Sequence, residues 1–205
     1  VFAHGALCIS YSGQCLFSSL VGGRSGNRGA CAGSCRLPYD IVDKNNEVLN
    51  DTKKYPLSMK DLCAIASIGK LMDIGVNSFK IEGRMKSKEY VYLVTKLYRK
   101  AIDSYLDNKK VTIDYEILDK LKKVFNREYT LGFLNNVNNN DVINGKQPNN
   151  VGVKIGKVVK LTKTNALIKL EDELHINDGL RIKGPDGEIG TIVNDFYLQG
   201  NLVKE

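Results

Sequence analysis

Val76-Asn77-Ser78-Phe79-Lys80-Ile81-Glu82-Gly83-Arg84-Met85-Lys86-Ser87 is the stretch on which the fold of this chain turns. Its first six residues alternate as a half-buried strand does, Glu82-Gly83-Arg84 turns the chain, and Ser87 stands as N-cap before a long amphipathic run. That run, roughly 88–107, sets Tyr90, Val94, Leu97, Ala101 and Tyr105 on one face and Lys88, Lys96, Arg99 and Lys100 on the other. Upstream, Ser58-Met59-Lys60-Asp61 has the form of a capping box. Leu62, Ile65, Ala66, Leu71 and Met72 follow at helical spacing, which places Cys63 in a helix that Gly75 ends. Helix, strand and helix in succession predict βα units, hence a parallel sheet or a (β/α) barrel with its helices outside.

Downstream, a third helix is expected near 114–125 from Ile117, Leu118, Leu121, Val124 and Phe125, followed by polar, turn-rich linker sequence at 135–140 and 145–150. A domain boundary is expected near 148. Beyond it the pattern is purely β, with strands expected at 154–159, 166–170, 180–183, 190–193 and 201–203 and a hairpin turn at Gly184-Pro185-Asp186-Gly187. Five or six short strands in so short a segment predict a small, closed or nearly closed β-barrel. The expected architecture is therefore α/β plus all-β: residues 1–148 as the closing part of a (β/α) TIM-like barrel, residues 149–205 as a small β-barrel domain. Val1-Phe2-Ala3 reads as strand from the first residue, so the chain is expected to be the later portion of something longer.

The 205 residues are 42% hydrophobic and 26% charged, the balance of a globular protein, and no apolar run approaches the ~20 residues of a membrane-spanning helix. A cytoplasmic location without membrane contact is the expectation. The formal charge is +7. Residues 151–205 carry eight basic and eight acidic side chains, so the whole excess belongs to residues 1–150, where it suits a phosphate-bearing partner.

Residues 1–36 hold seven Gly, six Ser, no acid and four of the five cysteines. Cys8 and Cys15 are spaced C-x6-C, and Cys31 and Cys35 C-x3-C. An odd cysteine count without a secretion signal favours metal or redox chemistry over a disulfide framework. Zinc prefers closer pairs, whereas iron-sulfur clusters accept varied loops whose amides hydrogen-bond the sulfurs, so a cluster is favoured and zinc is the runner-up; buried structural thiols are the plain alternative. Arg24, Arg28 and Arg36 share this acid-free loop, either to capture phosphate or carboxylate or to balance the charge of four thiolates. At the strand end, Lys80 is a candidate substrate ligand, while Glu82 and Arg84 either pair with each other or act as catalytic residues at the site. His4 follows the opening strand, as acid/base at a site mouth or as a core residue, and His175 reads as structural. The basic face Lys86, Lys88, Lys96, Arg99 and Lys100 is either a solvated helix face or a nucleic-acid contact. Neither H-E-x-x-H nor G-x-S-x-G occurs.

The ordered set from Val1 to Cys8, Ser10-Tyr11-Ser12-Gly13-Gln14-Cys15, Gly26-Asn27-Arg28-Gly29-Ala30-Cys31 and Cys35-Arg36-Leu37-Pro38-Tyr39 closely resembles the signature region of peptidase family U32. Lys60-Asp61-Leu62 and the segment from Lys80 to Ser87 continue the likeness. Asn126-Arg127-Glu128-Tyr129-Thr130 resembles the downstream region of the longer, collagenase-like members. The family name implies a hydrolase. Members also include hydroxylases that act on C5 of a pyrimidine in ribosomal or transfer RNA and ring hydroxylases of quinone biosynthesis, which hold a four-cysteine [4Fe-4S] cluster. The resemblance implies Cys8, Cys15, Cys31 and Cys35 as cluster ligands, with Cys63 in reserve for the fourth. It also implies RNA as partner of a parent enzyme and a small carboxylate, prephenate, as oxygen source. A peptidase and an RNA- or partner-binding module are the alternatives.

Overall fold

A computed structural model describes residues 1–11, 13–50, 52–134, 142–185, 187–198 and 200–203. It divides into two units, Val1–Val153 and Lys154–Glu205. The polar linker expected at 135–140 lies outside the described residues.

The first unit is built on a four-stranded sheet in the order β3-β1-β2-β4, made of β1 (Phe2–Ala6), β2 (Asp61–Cys63), β3 (Lys80–Ile81) and β4 (Tyr129–Thr130). β1 runs parallel to β3, and β2 to β4, but β1 and β2 are antiparallel, with His4 opposite Cys63 and Ala6 opposite Asp61. The sheet is therefore mixed, where the βα periodicity suggests a parallel one. A glycine is required at Gly5 (φ +121°): a Cβ there would meet Glu82 Cβ at 2.7 Å, so the close approach of β3 depends on its absence.

Over the sheet lies the long helix α3 (Lys88–Asn108), after the short helices α1 (Phe17–Gly22) and α2 (Ile68–Asp73), and it is followed by α4 (Tyr115–Val124). The Ser87 hydroxyl accepts the Tyr90 N–H at 3.3 Å, as its position in the sequence predicts. Tyr90, Val94, Leu97, Tyr98, Ala101 and Tyr105 are the buried positions of α3, one stripe at helical spacing. All of these but Tyr105 join Ala3, Cys63, Ile68 and Leu121 in a single core. α4 starts where the Asp114 carboxylate accepts the Ile117 N–H at 3.1 Å and an ion pair from Lys100 at 2.7 Å.

The helix expected after Ser58 is corrected. Residues 61–63 are strand, Ile65–Ser67 form a 3₁₀ turn, and α2 begins only at Ile68. Three tertiary contacts override the local signal. The Ser58 hydroxyl accepts from Arg36 instead of capping a helix, the Asp61 N–H donates to Glu128 O, and the Asp61 carboxylate is gripped by Arg127. The strand expected over 76–81 shrinks to two residues, because the Val76 N–H still closes the end of α2 on Leu71 O. The basic face of α3 is largely paired: Arg99 with Asp103 at 2.5 Å, Lys100 with Asp114, and Lys96 with the Tyr92 hydroxyl at 3.1 Å.

The second unit contains three antiparallel hairpins. They pair β5 (Gly156–Leu161) with β6 (Ala166–Leu170), β7 (Gly179–Gly184) with β8 (Gly187–Ile192), and β9 (Phe196–Leu198) with β10 (Asn201–Val203). Among the described residues strand pairing joins these strands only in twos. β9 has no counterpart in the sequence expectation, since Phe196-Tyr197-Leu198 shows no alternation. Gly184 and Gly187 are register partners at the end of the β7–β8 hairpin, and Asp186 of the expected turn lies outside the described residues. No helix among the described residues is long and apolar enough to cross a membrane.

The Asp61–Arg127 pair is one of the three tertiary contacts that override the helical signal at residues 61–63. Replacing Arg127 with Ala leaves a buried carboxylate unpaired and is expected to cost about 3–5 kcal/mol in urea unfolding. A cost within ~0.5 kcal/mol would show that the pair does not anchor β2.

Candidate functional site

The segment between β1 and β2 carries Cys8, Cys15 and Cys31, all exposed, and the half-buried Cys35; all four are free. Its anchor is Ser18, buried in the first turn of α1. The Ser18 hydroxyl lies 3.7 Å from Cys31 Sγ and accepts the Ala32 N–H at 3.1 Å, while the Gly33 N–H donates to Cys31 Sγ at 3.3 Å. The Cys31 sulfur thus sits against a hydroxyl and an amide, an environment that suits a metal-bound thiolate. Burial pushes the Cys35 thiol above its ordinary pKa; Arg36 opposes this, and the charges of Cys8 and Cys31 add to it. Those three sulfurs therefore share one electrostatic neighbourhood. Among the described residues no group of three or more His, Cys, Asp or Glu side chains is gathered at metal-holding distance.

The arginines turn toward the protein. Arg24 Nε donates to Ala30 O at 3.0 Å, Arg84 Nη2 to Gly29 O at 3.3 Å, and Arg36 to Leu7 O, Ser58 Oγ and Met59 O. Three of these carbonyls, on Leu7, Gly29 and Ala30, lie within two residues of a cysteine. Arg28 is exposed. Glu82 and Arg84 do interact, but through the backbone: the Glu82 carboxylate accepts the Arg84 N–H at 3.2 Å. Lys80 Nζ lies 4.6 Å from the centre of the Phe2 ring.

His4 is not at a site mouth. It is 1% exposed, with the Tyr90, Tyr98 and Tyr129 rings at 6.1, 5.5 and 5.3 Å. Burial, and secondarily the charge of Lys86, lowers its pKa to about 4. Tyr98 donates its proton to Ala3 O at 2.7 Å and lies 3.3 Å from His4 Nδ1, so donor counting puts the imidazole proton on Nδ1. Four buried atoms around this centre have no hydrogen-bond partner among the described residues: His4 Nε2, Asp61 Oδ2, Tyr90 OH and Tyr129 OH. Burial pushes both phenols upward in pKa, reinforced at Tyr90 chiefly by the Asp61 charge and at Tyr129 by Cys63. Two acceptors and two phenolic donors thus form a polar centre beneath α3.

Two cations stand beside it: Arg127, for which the sequence suggested no role, and Lys86, which was expected on a basic helix face. Arg127 Nε and Nη2 reach Asp61 Oδ1 at 3.0 and 2.7 Å. Lys86 Nζ sits 2.8 Å from the centre of the Phe125 ring, and burial, then the charge of Arg127, lowers its pKa to about 8. The signal for the Asp61–Arg127 pair lay in the family-like segments Lys60-Asp61-Leu62 and Asn126-Arg127-Glu128, although periodicity put the first of these in a helix, and that for Lys86 lay in the segment from Lys80 to Ser87. Cys63 lies in β2, and burial raises its pKa.

A family model described as peptidase family U32 matches residues 1–144. The chain belongs to this family. Three relatives within reach of the U32 chain carry different names. The 23S rRNA 5-hydroxycytidine C2501 synthase of Escherichia coli strain K12 is 37% identical over 188 residues, 88% of this chain and 28% of that protein. The tRNA hydroxylation protein P1 of Bacillus subtilis strain 168 is 44% identical over 138 residues, 64% of this chain and 33% of its own. A collagenase of Porphyromonas gingivalis strain W83 is 37% identical over 195 residues, 90% of this chain and 46% of its own. The U32 chain thus spans about half or less of the length of these relatives. No solved structure matches it.

The buried histidine generates a pH signature. Its pKa is about 4 when folded against 6.5 unfolded, so the unfolded chain binds the extra proton between those values. Stability is expected to be retained above pH 6.5 and to fall by about 3 kcal/mol as the pH drops toward 4. The acid limb of urea midpoints should flatten in His4→Gln; an unchanged limb would place the titration elsewhere.

Proposed function

We propose that this U32 chain is part of an iron-sulfur-dependent RNA hydroxylase that places a hydroxyl on C5 of a pyrimidine in ribosomal or transfer RNA. The observation that carries the reading is the four free cysteines in the one segment between β1 and β2, with a hydroxyl and an amide at the Cys31 sulfur, in a chain similar to proteins named for RNA hydroxylation. The four-stranded sheet with α3 and α4 is read as part of a larger (β/α) barrel, and the protein as cytoplasmic.

The donor chemistry suits a cluster: four free thiols, a hydroxyl and an amide at the Cys31 sulfur, and a guanidinium beside Cys35. Cys8, Cys15, Cys31 and Cys35 would hold it, with Cys63 as the reserve. Replacing C5–H by C5–OH is a two-electron oxidation; a cluster held by these thiols would supply redox chemistry, with the oxygen atom coming from the co-substrate, which would be reduced by two electrons in exchange. The chain's own residues do the rest. Arg24 and Arg84 hold the backbone on the N-terminal side of Cys31, and Ser18 holds it on the C-terminal side. The exposed Arg28 and Lys80 are available to phosphate or to a small carboxylate co-substrate such as prephenate. The charge excess of residues 1–150 favours the approach of RNA.

A second reading, peptidase, draws on the similarity to collagenases. A hydrolytic base needs an accessible imidazole or carboxylate beside a nucleophile, whereas His4 is sealed among tyrosines and uses Nδ1 on Tyr98.

Mass spectrometry of nucleosides from cells lacking the parent gene is expected to show a hydroxypyrimidine missing. Complementation with the wild-type gene should restore it, and Cys31→Ser should reduce restoration at least about 100-fold. An unchanged nucleoside profile, together with gelatin cleavage that survives Cys31→Ser, would replace the hydroxylase by the peptidase.

A further inference from the structure

Arg36 is bonded unlike any other cation near the cysteines. Its Nη1 donates to Ser58 Oγ at 2.8 Å and to Met59 O, and its Nη2 to Leu7 O at 3.3 Å. These partners lie 29 residues before it and 22–23 residues after it in sequence. Leu7 precedes Cys8, Arg36 follows Cys35, and Ser58 and Met59, both buried, lead into β2. One planar fork therefore joins both thiol-bearing segments to the sheet. Burial and the neighbouring Arg127 disfavour its charged form, and the charges of Cys35, Asp61 and Cys8 favour it. A guanidinium is suited to this work because its donors diverge in one plane at fixed angles, whereas an ammonium is a point charge on a flexible stem.

We propose that Arg36 is the positioning residue of the cysteine site, clipping Leu7 and Cys35 to the entry of β2 so that the Cys8 and Cys35 thiols face one another at a fixed separation. This rests on the reading of the cysteines as a metal site, and it deepens that reading by assigning the separation of two ligands to a residue outside the ligand set. The role is geometric. Without the fork, Cys8 hangs from the end of β1 and Cys35 from a glycine-rich loop, and their encounter becomes a loop-closure event. With it, the two thiols are held at a high effective concentration.

The test uses the whole chain with Arg36→Lys, which keeps the charge and loses the fork, and Arg36→Met, which loses both. In metal-free, reduced protein, dibromobimane is used to bridge Cys8 to Cys35, and the bridge is identified by peptide mapping. In parallel, iron, sulfide and the thiolate-to-iron absorption band are measured after anaerobic reconstitution. Both variants are expected to bridge at least about tenfold more slowly than wild type, and to take up correspondingly less iron, with far-UV circular dichroism unchanged. Wild-type rates in both variants overturn the proposal, as does full rescue by Lys, which would make Arg36 a charge balance. Should the Arg36 variants fail to fold, Ser58→Ala removes one acceptor and leaves the arginine in place. Slower bridging in that variant supports the clip, and an unchanged rate overturns it. If wild type bridges rapidly through Arg36 yet takes up no iron, the cluster reading fails while the positioning role stands.

Discussion

A carboxylate sealed from water is tolerable only with a partner, and for Asp61 that partner is Arg127. The carboxylate is 1% exposed and the guanidinium 13%. This contact ties the strand after the cysteine segment to the segment that leads into β4, residues that stand 66 apart in the chain. Once Asp61 is held there, its N–H meets Glu128 O, β2 lies between β1 and β4, and His4 comes opposite Cys63. The buried ion pair and the backbone pairing of β2 on both sides together hold the centre of the sheet, from which the cysteine segment departs.

The same economy governs the other cations. A loop rich in arginine and free of acid invites a reading in which every arginine awaits an anion. Arg24, Arg36 and Arg84 instead satisfy carbonyls of a segment that has little regular structure to satisfy them. In a loop of glycine and serine, with few apolar side chains to bury, guanidinium-to-carbonyl bonds take over the role that a hydrophobic core plays under α3. The thiols are thereby organised from outside their own sequence spacing.

Beneath α3 the rule is reversed. His4, Asp61, Tyr90 and Tyr129 bring polar atoms into a core, and four of those atoms lack a partner among the described residues. Desolvation keeps the imidazole neutral and the phenols protonated, so the centre offers fixed donors and acceptors rather than mobile charge. Lys86, pressed on Phe125, and Arg127 bound it with positive charge. A core of this composition holds directional groups in place, which a purely apolar one does not.

Much of this was legible in the residues. The long helix and its Ser87 cap, α4, most of the later strands and the concentration of thiols in an acid-free segment are written locally, because helical stripes, caps and strand alternation depend on near neighbours. The family likeness likewise marked Lys60-Asp61-Leu62 and Asn126-Arg127-Glu128 as segments to watch. What local pattern misassigned is the stretch from Ser58 to Cys63, a good helix start by its own propensities. Its hydroxyl, its carboxylate and its backbone are each claimed by a residue more than twenty positions away. The sequence by itself determined which residue types were available to the site. Only the tertiary structure decided that His4 is sealed in the core, that Arg36 spans two thiol-bearing segments, and that Asp61 belongs to a strand, because burial and pairing are set by long-range contacts that no local period records.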